Sequence, residues 1–263
     1  MANLSLGLLA LGWWVYSCVI QEGDKVRNWR SRWRQIWVGA VWMACLFHWT
    51  SYLLRWYIGG RIPLGNGHET MLFLAGFLLL CTCIWQRRFS FLLPAGLLLS
   101  GFTLLVAYLS EMNPQITPLM PVLLSPWLSL HVSLIMVSYA LFALMCLCSI
   151  LALSIRRHTW QRQRLTLFCR VLLYPAVLCL GIGIFIGAVW ANVSWGSYWA
   201  WDPKEVWALI TFMLYGMAFH VQSLPRFRNP YFFHWFLIVS FSAILMTYFG
   251  VNYVLGGMHS YAG

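Results

Sequence analysis

Trp195-Gly196-Ser197-Tyr198-Trp199-Ala200-Trp201-Asp202-Pro203-Lys204-Glu205 stands between two long apolar runs, 171–192 and 206–223. An apolar run of about 20 residues matches a bilayer core roughly 30 Å thick. The stretch therefore reads as a short loop at a membrane edge. It carries three Trp, one Tyr, two acids and a Lys in eleven residues. So dense an aromatic cluster suits gripping a flat apolar ligand, and the rest of the chain reads as the frame that places it.

Working outward, the 263 residues are 61% hydrophobic and 9% charged, far less charge than a soluble domain carries. The expectation is an all-α, polytopic helical membrane protein, a single integral domain over 1–263. Eight spans are expected at about 3–20, 35–57, 70–85, 90–109, 127–155, 171–192, 206–223 and 231–254. Span four, with Pro94, Gly96 and Gly101, is expected to be kinked or re-entrant. The first run lacks a basic stretch before it and a small-residue cleavage site after it, so it is expected to be a retained helix rather than a signal peptide.

The net charge of +11 is not spread as nucleic-acid binding would require. Fourteen of the 17 Lys and Arg fall in four segments, after spans one, three, five and seven; the others are Arg55, Arg61 and Lys204. That alternation is the positive-inside pattern. It puts the basic links in the cytoplasm and both termini and the remaining links on the outer (periplasmic or lumenal) side. The outer links collect the unusual residues: Gly59–Glu69, the proline-rich link with Glu111, the Trp-rich loop, and a tail ending in Met258-His259-Ser260-Tyr261.

The eight cysteines lie almost wholly within apolar runs and form no CxxC. They read as small buried hydrophobes rather than a metal or redox set. Of the seven histidines, His158 is in a basic link and reads as solvated. His131 lies four residues into span five, about 6 Å below the outer surface at 1.5 Å per residue, and His259 lies just beyond span eight. Both are level with the Trp-rich loop. Such residues are read equally well as interfacial or as the two axial ligands of a haem resting on the tryptophans. His48, His220 and His234 fall inside spans, where an ionisable group is a functional hypothesis by default. A deeper haem between spans two and seven and a simple interhelical hydrogen bond both stay open. His68 reads as a loop residue. Asp202 before Pro203, with Glu205 in the first turn, reads as a helix N-cap.

Trp195-Gly-Ser-Tyr-Trp-Ala-Trp-Asp-Pro-Lys-Glu205 resembles the Trp-rich "WWD" signature of haem-handling proteins in cytochrome c maturation. Its Asp-Pro-Lys-Glu ending followed by Val206-Trp-Ala-Leu-Ile210 is similar to the CcsA (ResC) family. Trp127-Leu-Ser-Leu-His131, Tyr248-Phe-Gly-Val-Asn252 leading to His259, and Arg55-Trp-Tyr with Pro63-Leu-Gly-Asn66 and Glu69 resemble that family's outer regions. The CcsA-like region covers 35–263, with the WWD loop at 193–206.

The resemblance implies the haem-handling subunit of a system II cytochrome c synthase (haem lyase). It would work with a CcsB (ResB) partner on haem b, Fe protoporphyrin IX, and apocytochrome c. The membrane implied is the bacterial cytoplasmic one, with the thylakoid as alternative. His131 and His259 would be axial ligands of the outer haem and carry the reaction. Trp195, Gly196, Tyr198, Trp199, Trp201 and Asp202 would hold the porphyrin. His220 matches the family's transmembrane histidine, whose partner ligand is attributed to CcsB; His48 is left as a ligand in cis or a packing residue. Tyr198 stands where many members have Trp, which keeps the aromatic face. Lys204, Arg55 and Arg61 are candidates for pairing with haem propionates. The rivals are a haem exporter without ligase activity and a b-type electron-transfer subunit.

Overall fold

In a computed structural model, the structure describes residues 2–19, 24–110, 112, 114–116, 118, 121–154 and 159–255. Among them there are helices and no strands, as the composition requires: a backbone in lipid must satisfy its hydrogen bonds within each segment. The helices are α1 (Ala2–Val19), α2 (Asp24–Gly59), α3 (Gly67–Trp85), α4 (Leu92–Leu109), α5 (Pro126–Ser154), α6 (Thr159–Trp195), α7 (Pro203–Met217) and α8 (Pro230–Leu245). Short 3₁₀ turns lie at Pro121–Leu124 and Pro225–Arg228, and α8 runs into a π-helical stretch, Met246–Leu255.

Six helical segments are long and apolar enough to cross a bilayer: Ser31–Gly59, Gly67–Trp85, Leu92–Leu109, Pro126–Ser154, Trp160–Trp195 and Pro230–Val251. The chain is an integral membrane protein. The expected seventh span is shorter than foreseen. α7 has 15 residues, about 22 Å at 1.5 Å per residue. Gly216 weakens its last turn, and Pro225 disfavours helix at Leu224 (φ −119°, ψ 79°).

The chain forms two compact units. The first comprises Met1–Pro63 and Gly67–Ile116. Here α4 packs against α1 and α3, and α3 against α2. The core joins Ala10, Trp37, Val41, Cys45, Leu79, Cys83, Leu93 and Leu97. Span four is one continuous α-helix, Leu92–Leu109. Pro94 is the third residue of α4, in the first turn where a backbone N–H has no intrahelical partner to lose. Gly96 serves packing instead, because a Cβ there would collide with Thr82 of α3.

The second unit comprises Leu64–Asn66 and Thr117–Gly263. Its spine is the α5–α6 pair, with α8 against α5 and α7 against both α6 and α8. Phe142 of α5 stacks on Tyr215 of α7, centroids 3.8 Å apart and planes inclined by 23°. Trp190 of α6 is buried and its indole N–H donates to the Val122 carbonyl at 3.4 Å. The basic segment 161–170 continues α6, where Arg170 donates to the Phe227 carbonyl at 2.9 Å and ties α6 to the turn before α8. Seven cysteines are described and all are free.

Candidate functional site

The Trp-rich loop is held by its own chemistry at both ends. α6 stops at Trp195 because Gly196 turns left-handed (φ +79°) and donates its N–H to the Asn192 carbonyl at 2.9 Å, the glycine stop that leaves no Cβ penalty. α7 starts at Pro203 because Asp202 caps it: Asp202 Oδ1 accepts from Lys204 N–H at 3.0 Å. Glu205 completes the capping box by accepting from Asp202 N–H at 3.2 Å. The same oxygen, Oε2, also accepts from Ala200 N–H at 2.9 Å. Between those amides Trp201 is left-handed, φ +57°, a conformation that costs a bulky residue about 1–3 kcal/mol. Ser197 Oγ donates to the Trp199 carbonyl at 3.0 Å.

Within the loop, Trp195 packs edge-on against Trp190 (4.8 Å, 73°) and Trp199 edge-on against Trp201 (5.9 Å, 89°). Tyr198 and Trp201 remain 60% and 72% exposed. These two are the most exposed rings of the loop. Lys204 is half-buried at the start of α7; burial pulls its ammonium down to about 8, and the Asp202 carboxylate opposes the shift.

His131, in the second turn of α5, lies on α6. Its Nδ1 donates to the Gly183 carbonyl at 2.7 Å. A Cβ on Gly187 would stand 2.6 Å from Nδ1 and Cε1 of the ring, so the glycine spacing on α6 is what admits the imidazole. A carbonyl only accepts; Nδ1 therefore carries the proton. Gly187 lies eight residues, about 12 Å along the helix, before Trp195.

The other histidines separate into two kinds. His48 is buried on α2 and donates Nε2–H to the Leu72 carbonyl of α3 at 2.8 Å. His234 is fully buried on α8. Thr166 gives its hydroxyl proton to the Arg162 carbonyl (2.9 Å) and so accepts from His234 Nε2–H (2.8 Å). Nδ1 then accepts from the Ser149 hydroxyl at 3.0 Å. Both residues are interhelical ties. His220 is instead exposed and lies three residues past the end of α7, on the turn toward Pro225, rather than inside a helix as expected. His158 and His259 lie outside the described residues.

The arginines expected near propionates have partners within the first unit. Glu69, 1% exposed, binds Arg55 at 3.1 Å and Arg61 at 2.8 Å. Arg55 also donates to the carbonyls of Pro114 (2.7 Å) and Gln115 (3.1 Å). Three features of this chain were not foreseen: the Gly183–Gly187 seat under His131, the double bond to Glu205 Oε2, and the backbone of Trp201. Only the first had a sequence signal, small residues spaced at i and i+4 on an apolar helix.

The sequence profile described as "Cytochrome C assembly protein" matches residues 64–259. The chain belongs to that family. Within it, the chain is similar to protein NrfI of Wolinella succinogenes, 39% identical over 229 residues, covering 84% of this chain and 25% of that protein. It is similar to the cytochrome c biogenesis protein CcsA of Chlamydomonas reinhardtii, 35% identical over 228 residues, covering 80% and 63%. It is also similar to CcsA of Guillardia theta, 30% identical over 258 residues, covering 85% and 84%. The chain thus spans a quarter of NrfI and under two thirds of the algal CcsA. Its branch of the cytochrome c assembly family is CcsA (ResC), a branch of cytochrome c biogenesis. The family match takes in His131, the Trp-rich loop and His220 and ends at His259; it leaves out α1 and α2, and with them His48 and Arg55.

Proposed function

We propose that this chain is the haem-handling subunit of a system II cytochrome c synthase. It presents haem b on the outer face, where apocytochrome c is joined to it. One arrangement carries the reading: His131 of α5 packs on α6 at Gly183 and Gly187, two helical turns before a loop whose Tyr198 and Trp201 rings stay exposed. Flat exposed indole and phenol faces fit a porphyrin, and an imidazole locked in one tautomer fits its iron.

In this reading Trp195, Tyr198, Trp199 and Trp201 fix the plane of the haem, which is a substrate here. Gly196 and Asp202 fix the two ends of the loop. His131 and His259 supply the two axial imidazoles. Each thiol of the CxxCH segment adds its S–H across a vinyl C=C of the haem: a C–S bond forms, the proton ends on the neighbouring carbon, and no net oxidation occurs. The protein contributes orientation, which lowers the entropic part of the barrier. Arrival of the CxxCH histidine displaces one protein imidazole and aligns the thiols. Lys204 is the loop's cation for a propionate, while Arg55 and Arg61 are paired with Glu69.

His220 serves a second haem whose other ligand comes from a CcsB-like partner. His48 Nε2 and both nitrogens of His234 are held in interhelical hydrogen bonds.

The test is co-expression with a CcsB partner and a reporter apocytochrome c. The synthase reading expects haem that stays on the reporter after denaturation. Haem bound by this chain with none attached to the reporter would reduce it to a haem exporter.

A further inference from the structure

The carboxylate of Glu205 does more than a helix cap requires. A capping box needs one bond, to the N–H of the cap residue, and Glu205 Oε2 makes it with Asp202 (3.2 Å). The second bond, to Ala200 N–H at 2.9 Å, reaches across Trp201. One oxygen therefore holds both amides that flank the only described non-glycine residue with a positive φ. That residue is also the most exposed ring of the loop. A tryptophan does not adopt φ +57° unless its surroundings impose it. The Ser197 bond ends at the Trp199 carbonyl, and Asp202 Oδ1 accepts from Lys204 N–H further along the chain.

We infer that Glu205 is a positioning residue for the haem platform: it holds the amides of the two residues flanking Trp201, Ala200 and Asp202, and so keeps Trp201 in the left-handed conformation in which its ring is exposed to a flat ligand. The inference rests on the reading of the loop as a haem platform. A released Trp201 relaxes to negative φ, which redirects its side chain, so the platform loses its outermost ring while α7 keeps its Asp202 cap.

The experiment uses the full chain with its membrane partner and compares wild type, Glu205→Gln, Glu205→Ala and Trp201→Gly, alone and combined with Glu205→Ala. Amide hydrogen exchange over residues 199–205 is read first, on haem-free protein. Glu205→Ala should speed exchange at Ala200 and Asp202 about tenfold, as for loss of a local hydrogen bond, and Glu205→Gln, which keeps an acceptor oxygen, should not. Unchanged exchange in Glu205→Ala overturns the clamp, whatever the loop binds. The reduced haem spectrum is read second. Glu205→Ala should lower bound haem and alter its spectrum, and Glu205→Gln should restore both. In the Trp201→Gly background, where glycine takes positive φ freely, adding Glu205→Ala should cause no further loss. A further loss there makes Glu205 a cap only and overturns the inference. Faster exchange with an unaltered haem spectrum also overturns it. Absence of haem from the wild-type chain overturns the proposed function instead, and the exchange data still decide the clamp.

Discussion

The link between α2 and α3 and the link between α6 and α7 draw on the same materials: glycine turns, a proline, basic residues and a carboxylate near the next helix start. In the first, Glu69 is buried and neutralised by Arg55 and Arg61, and the Arg55 fork is completed by the Pro114 and Gln115 carbonyls. The carboxylate there is spent on two guanidiniums, and the link is a fastening. In the second, the carboxylate of Glu205 is used on backbone amides, Trp201 is held against its own preference, and two large rings are left uncovered. A link that satisfies its groups internally is architecture; a link that holds a strained backbone with open aromatic faces is arranged for a ligand.

The comparison breaks most visibly at Glu69. Glu69→Ala leaves two largely buried guanidiniums without their anion, which costs on the order of 3–5 kcal/mol. The melting temperature in detergent should fall sharply, while the haem spectrum of the protein that remains folded stays as in wild type. Gly187→Ala is the next largest effect and acts on the other side of the contrast. The new methyl forces the His131 ring off the Gly183 carbonyl. Disturbing such an outer hydrogen bond lowers metal affinity by about 10–100-fold. Bound haem should drop with little change in melting temperature, and added imidazole should recover it. Lys204 gives the smallest effect. Its folded pKa, about 8, lies below the ordinary 10.5, so the folded chain binds fewer protons than the unfolded chain between those values. The penalty of burying the charge is complete below about pH 8 and is relieved as pH rises toward 10.5, so stability rises across that window. Lys204→Met should abolish the rise. Haem retention should run the other way, weakening as pH passes about 8 in the wild type and changing less in Lys204→Met.

The helical architecture was legible because apolar run length is dictated by the bilayer itself. The Asp202 cap was legible because Asp-Pro-x-Glu is a local signal. Span four runs as one unbroken helix because Pro94 breaks a helix only in its interior, and its place in the first turn depends on where α4 begins. α7 ended early for a related reason: hydropathy over 206–223 does not reveal that the helix stops before the turns leading to Pro225. Arg55 and Arg61 looked available because their partner, Glu69, meets them only once α2 folds back on α3. His48 and His234, inside spans, were open to a deeper haem or an interhelical hydrogen bond. The choice lies in which acceptor faces each ring nitrogen, a property of helix packing. The left-handed Trp201 has no local signature at all, since it is imposed by a carboxylate four residues ahead.

The central claim is that the exposed ring face of the loop and the imidazole of His131 share one haem. Its most direct test is the reduced optical spectrum of the chain, purified with its partner, in wild type and His131→Ala, each with and without added imidazole. The account predicts that His131→Ala loses the six-coordinate haem signature and cytochrome c yield, and that imidazole restores both. Haem content, ligation and yield unchanged by His131→Ala would contradict it.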